Sequence, residues 1–99
     1  MGLHVLTLAV ELRLPACRSL KAKRSVVKSI TETSKRRWSV AASETDHQDT
    51  WDRAELGFVA VSSSSGHCTE IIDRVERFVW SVPEAEVLTA SRHWLEVDR

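Results

Sequence analysis

The feature that most constrains the fold is an abrupt change in the spacing of apolar residues at Pro15. Before it, every second residue from Leu6 to Leu14 is apolar, which is the period of a strand with one buried face. From residue 20 to about residue 37 the spacing is near 3.6, which is typical of an amphipathic helix. Pro15 has no N–H for a sheet ladder and Ser19 supplies a helix-capping oxygen, so a strand must give way to a helix here.

The same two periods recur along the rest of the chain. Residues 38–44 alternate, residues 54–62 are apolar on both faces, and residues 68–82 keep helical spacing up to Pro83, after which a fourth strand follows. The order βαββαβ predicts an α+β, ferredoxin-like fold, with a four-stranded antiparallel sheet and two helices on one face. The length predicts a single ferredoxin-like domain spanning residues 1–99.

The charges are unevenly distributed although the formal net charge is zero. Residues 13–38 contain nine basic residues and one acidic residue, so this segment carries +8 and the remainder −8. On the second helix, residues four apart predict the ion pairs Glu70–Arg74 and Asp73–Arg77. On the first helix, the basic side chains beyond the first turn form a solvent-facing flank that suits an anion such as RNA phosphate. These anion- or RNA-binding candidates are Lys28, Lys35, Arg36 and Arg37.

The basic residues of the first turn have a different expected role. In this fold the start of the first helix and the hairpin between the second and third strands lie at the same edge of the sheet. We therefore expect internal pairing in a sheet-edge charge cluster of Lys21, Lys23, Arg24, Glu44, Asp46 and Asp49. Lys23 lies within the apolar arc of the helix, so its side chain must extend past the sheet edge or meet a carboxylate.

One apolar face of the sheet is expected to remain uncovered. The third strand is apolar on both sides, so one set of side chains stays exposed whichever set packs on the helices, and such a patch indicates an interaction surface. We assign Leu56 and Phe58 to this oligomer face and expect a homodimer. The segment LGFVAV partly matches an RNA-recognition motif, but it lacks one stacking aromatic residue and the basic–glycine start, which favours an ordinary central strand.

No catalytic or metal-binding constellation is recognisable. Asp46, His47 and Asp49 lack a second histidine at ligand spacing, and Cys17 with His47 lacks a third, orienting group. We therefore expect no enzyme activity, no cofactor and no metal. Two distant cysteines without a CxxC motif or secretory leader, and no apolar run of about 18 to 20 residues, predict a cytoplasmic protein without a membrane partner.

Three segments carry a family resemblance: LRLPACRSLKAKRSVVKSI, WSVAASETDHQDTWDRAELGFVAVS and RVERFVWSVPEAEVL. Together they resemble the YlxP-like family, the bacterial domain of unknown function 503. The most specific elements are S-L-K-x-K-R at residues 19–24 and the acidic element that ends at Asp49 and Trp51. The resemblance implies a small ferredoxin-like domain without established catalytic residues. It also implies a ribosome or RNA connection, because family members are commonly encoded beside translation and ribosome-maturation genes.

Two hypotheses of different classes follow from these observations. In the first, the chain is a small cytoplasmic, non-enzymatic binding domain that contacts RNA or a ribosomal protein through the basic flank of the first helix. In the second, it is a homo-oligomeric interaction module or small-ligand regulatory module that uses the exposed face of the sheet.

Overall fold

Six secondary-structure elements follow one another in the predicted order βαββαβ. The computed structural model describes residues 2–96, so residues 1 and 97–99 of the expected domain lie outside the described residues. The elements are β1 His4–Arg13, α1 Leu20–Trp38, β2 Ala41–Asp46, β3 Arg53–Ser62, α2 Ser65–Trp80 and β4 Glu86–Leu95. The strands form one antiparallel sheet in the order β2-β3-β1-β4, which confirms the ferredoxin-like α+β fold. Neither α1 nor α2 is long and apolar enough to span a membrane.

The core lies between one face of the sheet and the two helices. The alternation seen in the sequence of β1 sends every second side chain of this strand into the core, and the register pairs them with alternate residues of β3. The strands contribute Leu6, Leu8, Val10, Leu12, Ala54, Leu56, Phe58 and Ala60. The helices contribute Val27, Ile30, Cys68, Ile72, Val75 and Val79. Ser19 and Ser64 cap α1 and α2 by accepting hydrogen bonds from the N–H groups of Ala22 and His67.

The boundary between α1 and β2 differs from the sequence-based prediction. Trp38, expected to open the second strand, is the last residue of α1, and the strand begins at Ala41. Ser39 caps the C-terminus of the helix. It adopts a left-handed conformation (φ 55°) and donates its N–H to the Lys35 carbonyl at 3.0 Å. The Trp38 ring is therefore directed towards α2, where its centroid lies 5.5 Å from that of Phe78.

The prediction that Leu56 and Phe58 form an oligomer face is wrong. Both side chains are fully buried on the helix side of the sheet, so neither is accessible to a second molecule. The open face instead carries the alternate residues of the same strand, because successive side chains of a strand point to opposite faces. Among these, Val59 and Val61 are 37% and 59% exposed.

The fourth strand is an edge strand with little cover. It pairs only with β1, and its residues are exposed except for the partly buried Val87. The register places Trp94 opposite Leu6 and Arg92 opposite Leu8, so both side chains lie on the helix side of the sheet. A register shift between Glu11 and Leu12 interrupts the pairing near the start of β4.

The other edge of the sheet is held by Lys23, whose side chain is fully buried. Its ammonium group lies 2.8 Å from Glu44 Oε2 and donates hydrogen bonds to the carbonyls of Thr50, at 2.6 Å, and His47. Two carbonyls therefore accept hydrogen bonds from the ammonium, and the Glu44 carboxylate supplies its counter-charge. Helix α1, the end of β2 and the turn before β3 are thus joined at one charged group.

The structure brings together only part of the predicted charge cluster. Lys21 and Arg24 are exposed and have no ion-pair partner among residues 2–96. Asp46 accepts a hydrogen bond from the His47 N–H at 2.7 Å, which stabilises the turn in which His47 has a left-handed conformation. Asp49 is exposed in the same turn. The cluster is therefore a buried Lys23–Glu44 pair surrounded by solvated charges.

We expect Lys23→Ala to lower the melting temperature far more than Lys28→Ala does. Removing Lys23 leaves the Glu44 carboxylate and two carbonyls without their donor, and loss of one partner of a buried pair costs about 3–5 kcal/mol. Lys28 is exposed, so its replacement is expected to change the free energy of unfolding by less than about 0.5 kcal/mol. Thermal denaturation followed by circular dichroism measures the melting temperature of each variant. Equal decreases in the two variants would contradict the structural role of Lys23.

Candidate functional site

A groove lies between the last turn of α1 and the middle of α2. It consists of two adjoining cavities of about 420 and 500 Å³, and Arg37, Trp38 and Arg74 line both. Arg77 and Phe78 line the second cavity. We refer to these five residues as the interhelical groove. Cavities of this size are within the range of small-molecule binding sites.

Helical spacing brings the groove residues together. Val26 and Thr33 of α1 line a neighbouring depression against α2, and Arg37 follows Thr33 by four residues, so it lies on the side of α1 that faces α2. Arg74 and Arg77 are three residues apart and lie on one side of α2. The basic residues in the last turn of α1 also suit the negative end of the helix dipole.

Two aromatic rings accompany the arginines. Trp38 and Phe78 are both half-buried and meet at an interplanar angle of 53°. The guanidinium carbon of Arg37 lies 4.8 Å from the centroid of the Trp38 ring, within the range of a cation–π interaction. This contact holds Arg37 at the edge of the groove.

The ion pairs predicted along α2 do not form. Asp73 and Glu76 turn instead to Arg92 of β4, whose guanidinium nitrogens lie 2.8 Å from Asp73 Oδ1 and 3.0 Å from Glu76 Oε1. Burial of Arg92 lowers the pKa of its guanidinium, but hydrogen bonds and charge attraction from the two acids outweigh this effect and raise the pKa overall. The Glu70–Arg74 pair is also absent from the described part of the chain.

Arg37, Arg74 and Arg77 are therefore left without a carboxylate at ion-pair distance among residues 2–96. Three unneutralised guanidinium groups beside two aromatic rings form a site suited to an anion. Guanidinium groups bind phosphate or carboxylate oxygens in a bidentate manner, and they also stack on flat rings.

Of the four anion-binding residues predicted from the sequence, only Arg37 lies in the groove. Lys28 and Lys35 are seven residues apart on the flank of α1 that faces away from α2, and Lys35 Nζ is 3.6 Å from Glu32 Oε1. Arg36 is exposed to solvent. The sequence prediction missed Arg74 and Arg77 because it paired both with acids on the same helix.

The structure separates Cys17 from His47. Cys17 is buried beside a depression of about 240 Å³ that also involves Arg18 and Trp51. His47 does not line this depression, and its Nε2 lies 3.7 Å from Glu11 Oε1. Within residues 2–96, no group of three or more histidine, cysteine, aspartate or glutamate side chains is arranged to hold a metal ion.

We expect Arg92→Gln to destabilise the protein by about 1 kcal/mol, because two ion pairs between β4 and α2 are lost. Arg77→Gln is the matched control on the same surface and is expected to change the free energy of unfolding by less than about 0.5 kcal/mol. Guanidinium chloride denaturation measures the free energy of unfolding of each variant. A larger loss for Arg77→Gln than for Arg92→Gln would contradict the assignment of the acids to Arg92.

Comparison with known proteins identifies relatives over most of the chain. The family model described as "Protein of unknown function (DUF503)" matches residues 5–92. "Uncharacterized protein YlxP" of Bacillus subtilis (strain 168) is 40% identical over 76 residues, which cover 77% of this chain and 83% of that protein.

A solved structure shows the same fold without close sequence similarity. The "De novo designed protein Foldit4" superimposes with a TM-score of 0.59 and 13% identity, covering 98% of this chain and all of the designed chain. At this identity the likeness concerns the fold alone, since one fold hosts many unrelated functions. The family model spans both helices, the groove and most of the sheet, and with the 40% identical YlxP relative it shows that the chain belongs to the DUF503 family.

Proposed function

We propose that this chain is a cytoplasmic, non-enzymatic RNA-binding domain that contacts RNA through the interhelical groove. The observation that carries the proposal is the convergence of Arg37, Arg74 and Arg77 without carboxylate partners among the described residues. Phosphate groups supply the missing negative charge, and arginine provides both bidentate hydrogen bonds and planar stacking.

The aromatic rings favour RNA over a simple anion. An inorganic ion needs only charge and N–H donors, whereas Trp38 and Phe78 offer flat apolar surface at the same place. Aromatic and guanidinium planes are the usual platforms for nucleobases in RNA-binding proteins. The resemblance to a family encoded beside translation genes supports ribosomal RNA as the target.

The buried thiols support the proposed cytoplasmic location. Cys17 and Cys68 are both buried and unpaired. Unpaired cysteines are usual in a reducing compartment, where disulfides are rare.

We expect the double variant Arg74→Gln/Arg77→Gln to bind a ribosomal RNA fragment at least tenfold more weakly than the unmodified protein. Each lost phosphate contact weakens binding and flattens its dependence on salt concentration. Fluorescence anisotropy with labelled RNA at several salt concentrations measures both effects.

Lys28→Gln/Lys35→Gln removes the same number of charges from the opposite flank of α1 and is the matched control. We expect it to have a smaller effect. A larger loss for this control would place the RNA on the basic flank, and the absence of binding at low salt would refute RNA binding as a whole.

A second candidate function is self-association through the open face of the sheet. Val59 and Val61 are exposed there, and Leu95 of β4, which pairs with Val5, is 60% exposed on the same face. Along β1 and β3 this apolar area adjoins Glu55, which accepts a hydrogen bond from Thr45 at 2.6 Å, and then the Glu11–Arg53 ion pair at 2.7 Å. An exposed apolar area of this kind suits a second copy of the same surface.

We expect Val61→Gln to shift a monomer–dimer equilibrium towards the monomer, because a polar side chain must be desolvated at an apolar interface. Trp80→Gln is the matched control, since Trp80 on α2 is as exposed as Val61, at 59%. Sedimentation equilibrium over a range of protein concentrations measures the association constant. A monomeric unmodified protein at the highest concentration would exclude this candidate.

A further inference from the structure

The two compartments of the interhelical groove differ in chemistry. The sheet-side compartment, of about 420 Å³, extends to Ala60 and Ile71 and is also lined by Glu70 and His67. The helix-side compartment, of about 500 Å³, is lined by Arg77, Phe78 and Ser81, and no acidic residue of the described range 2–96 lines it. Arg37, Trp38 and Arg74 lie between them and line both.

This asymmetry assigns different parts of a nucleotide to the two compartments. A carboxylate repels phosphate but accepts hydrogen bonds from the amino group of a base, as glutamate does from N4 of cytosine. The apolar walls of the sheet-side compartment suit the faces of a base. The charged residues that line the helix-side compartment are all arginines, which suits a phosphate group.

We propose that the interhelical groove binds an unpaired nucleotide of RNA, with the base beside Glu70 in the sheet-side compartment and a phosphate beside Arg77 in the helix-side compartment. This proposal rests on the proposed RNA-binding function and adds to it the strandedness of the target and a base preference. Arg37, already held over Trp38 at 4.8 Å, provides a stacking plane between the two compartments.

The placement of the aromatic rings requires the nucleotide to be unpaired. In an RNA duplex the base faces are stacked on one another, and proteins reach only phosphates, 2′-hydroxyl groups and the edges of the bases. Half-buried rings such as Trp38 and Phe78, at the bottom of a groove between two helices, therefore add nothing to duplex binding. An unpaired base can enter the groove and stack.

The first experiment compares single-stranded and duplex RNA of the same length. We expect the single strand to bind about tenfold more tightly, which is the size of one base–aromatic stacking contact. Trp51, Trp80 and Trp94 are exposed, so replacing all three with phenylalanine leaves Trp38 as the sole fluorescent reporter. Its emission is expected to be quenched by the single strand and unchanged by the duplex.

The second experiment separates the base site from the phosphate site. Cytosine carries an amino group where uracil carries a carbonyl oxygen, so we expect oligo(C) to bind about tenfold more tightly than oligo(U). Glu70→Gln should reduce this ratio to about twofold and leave the salt dependence unchanged. Arg77→Gln should keep the ratio and lower the salt slope by about 0.7, the value for one phosphate contact on a single strand.

The outcomes distinguish this inference from the function on which it rests. Equal binding of duplex and single strand, unchanged Trp38 emission, or a base preference that Glu70→Gln does not reduce would each overturn the nucleotide assignment while leaving RNA binding in place. Failure of every RNA to bind at low salt would instead overturn the proposed function. Circular dichroism of each variant establishes that the fold is retained.

Discussion

The contact between Lys23 and Glu44 determines how the first helix sits on the sheet. A buried ammonium group requires hydrogen-bond acceptors and a counter-charge, so the start of α1, the end of β2 and the carbonyls of the following turn must come together. The helix then continues without interruption for 19 residues, or roughly 28 Å at 1.5 Å per residue. Because the helix is a stiff element, an anchor at its first turn also fixes the position of Arg37 and Trp38 at its far end. The groove thus depends on a charge pair that it does not contact.

The net charge of the whole chain is zero, but the charges are locally unbalanced. Asp73 and Glu76 compensate an arginine on the last strand of the sheet, and α2 therefore presents basic side chains towards α1 and acidic side chains towards β4. The designed protein shares the fold at 13% identity, so largely different residues can adopt this fold.

Much of the architecture could be predicted from the sequence because it follows from local periodicity. The alternation in β1 and the spacing in α2 each depend on residues close together in the chain. The errors arose where a residue distant in the sequence determines the position or the ion-pair partner of a side chain. Trp38 fitted an alternating pattern with Val40, but the left-handed turn at Ser39 and the ring of Phe78 place it on the helix. Asp73 fitted a pair with Arg77, but Arg92, which is 19 residues away, lies closer across the sheet edge. Phe58 was assigned to the wrong face because β3 is apolar on both faces, so its pattern does not indicate which face packs on the helices.

Contacts between β4 and α2 influence the charge of the groove. Among residues 2–96, this strand is held by its pairing with β1, by the Arg13–Glu86 ion pair, by Val87 against the core and by the contacts of Arg92 with α2. Asp73 is four residues from Arg77 on α2, the spacing of a helical ion pair, but its carboxylate is bound to Arg92 instead. The pairing of β4 with α2 therefore determines which arginines of the second helix keep an unpaired charge.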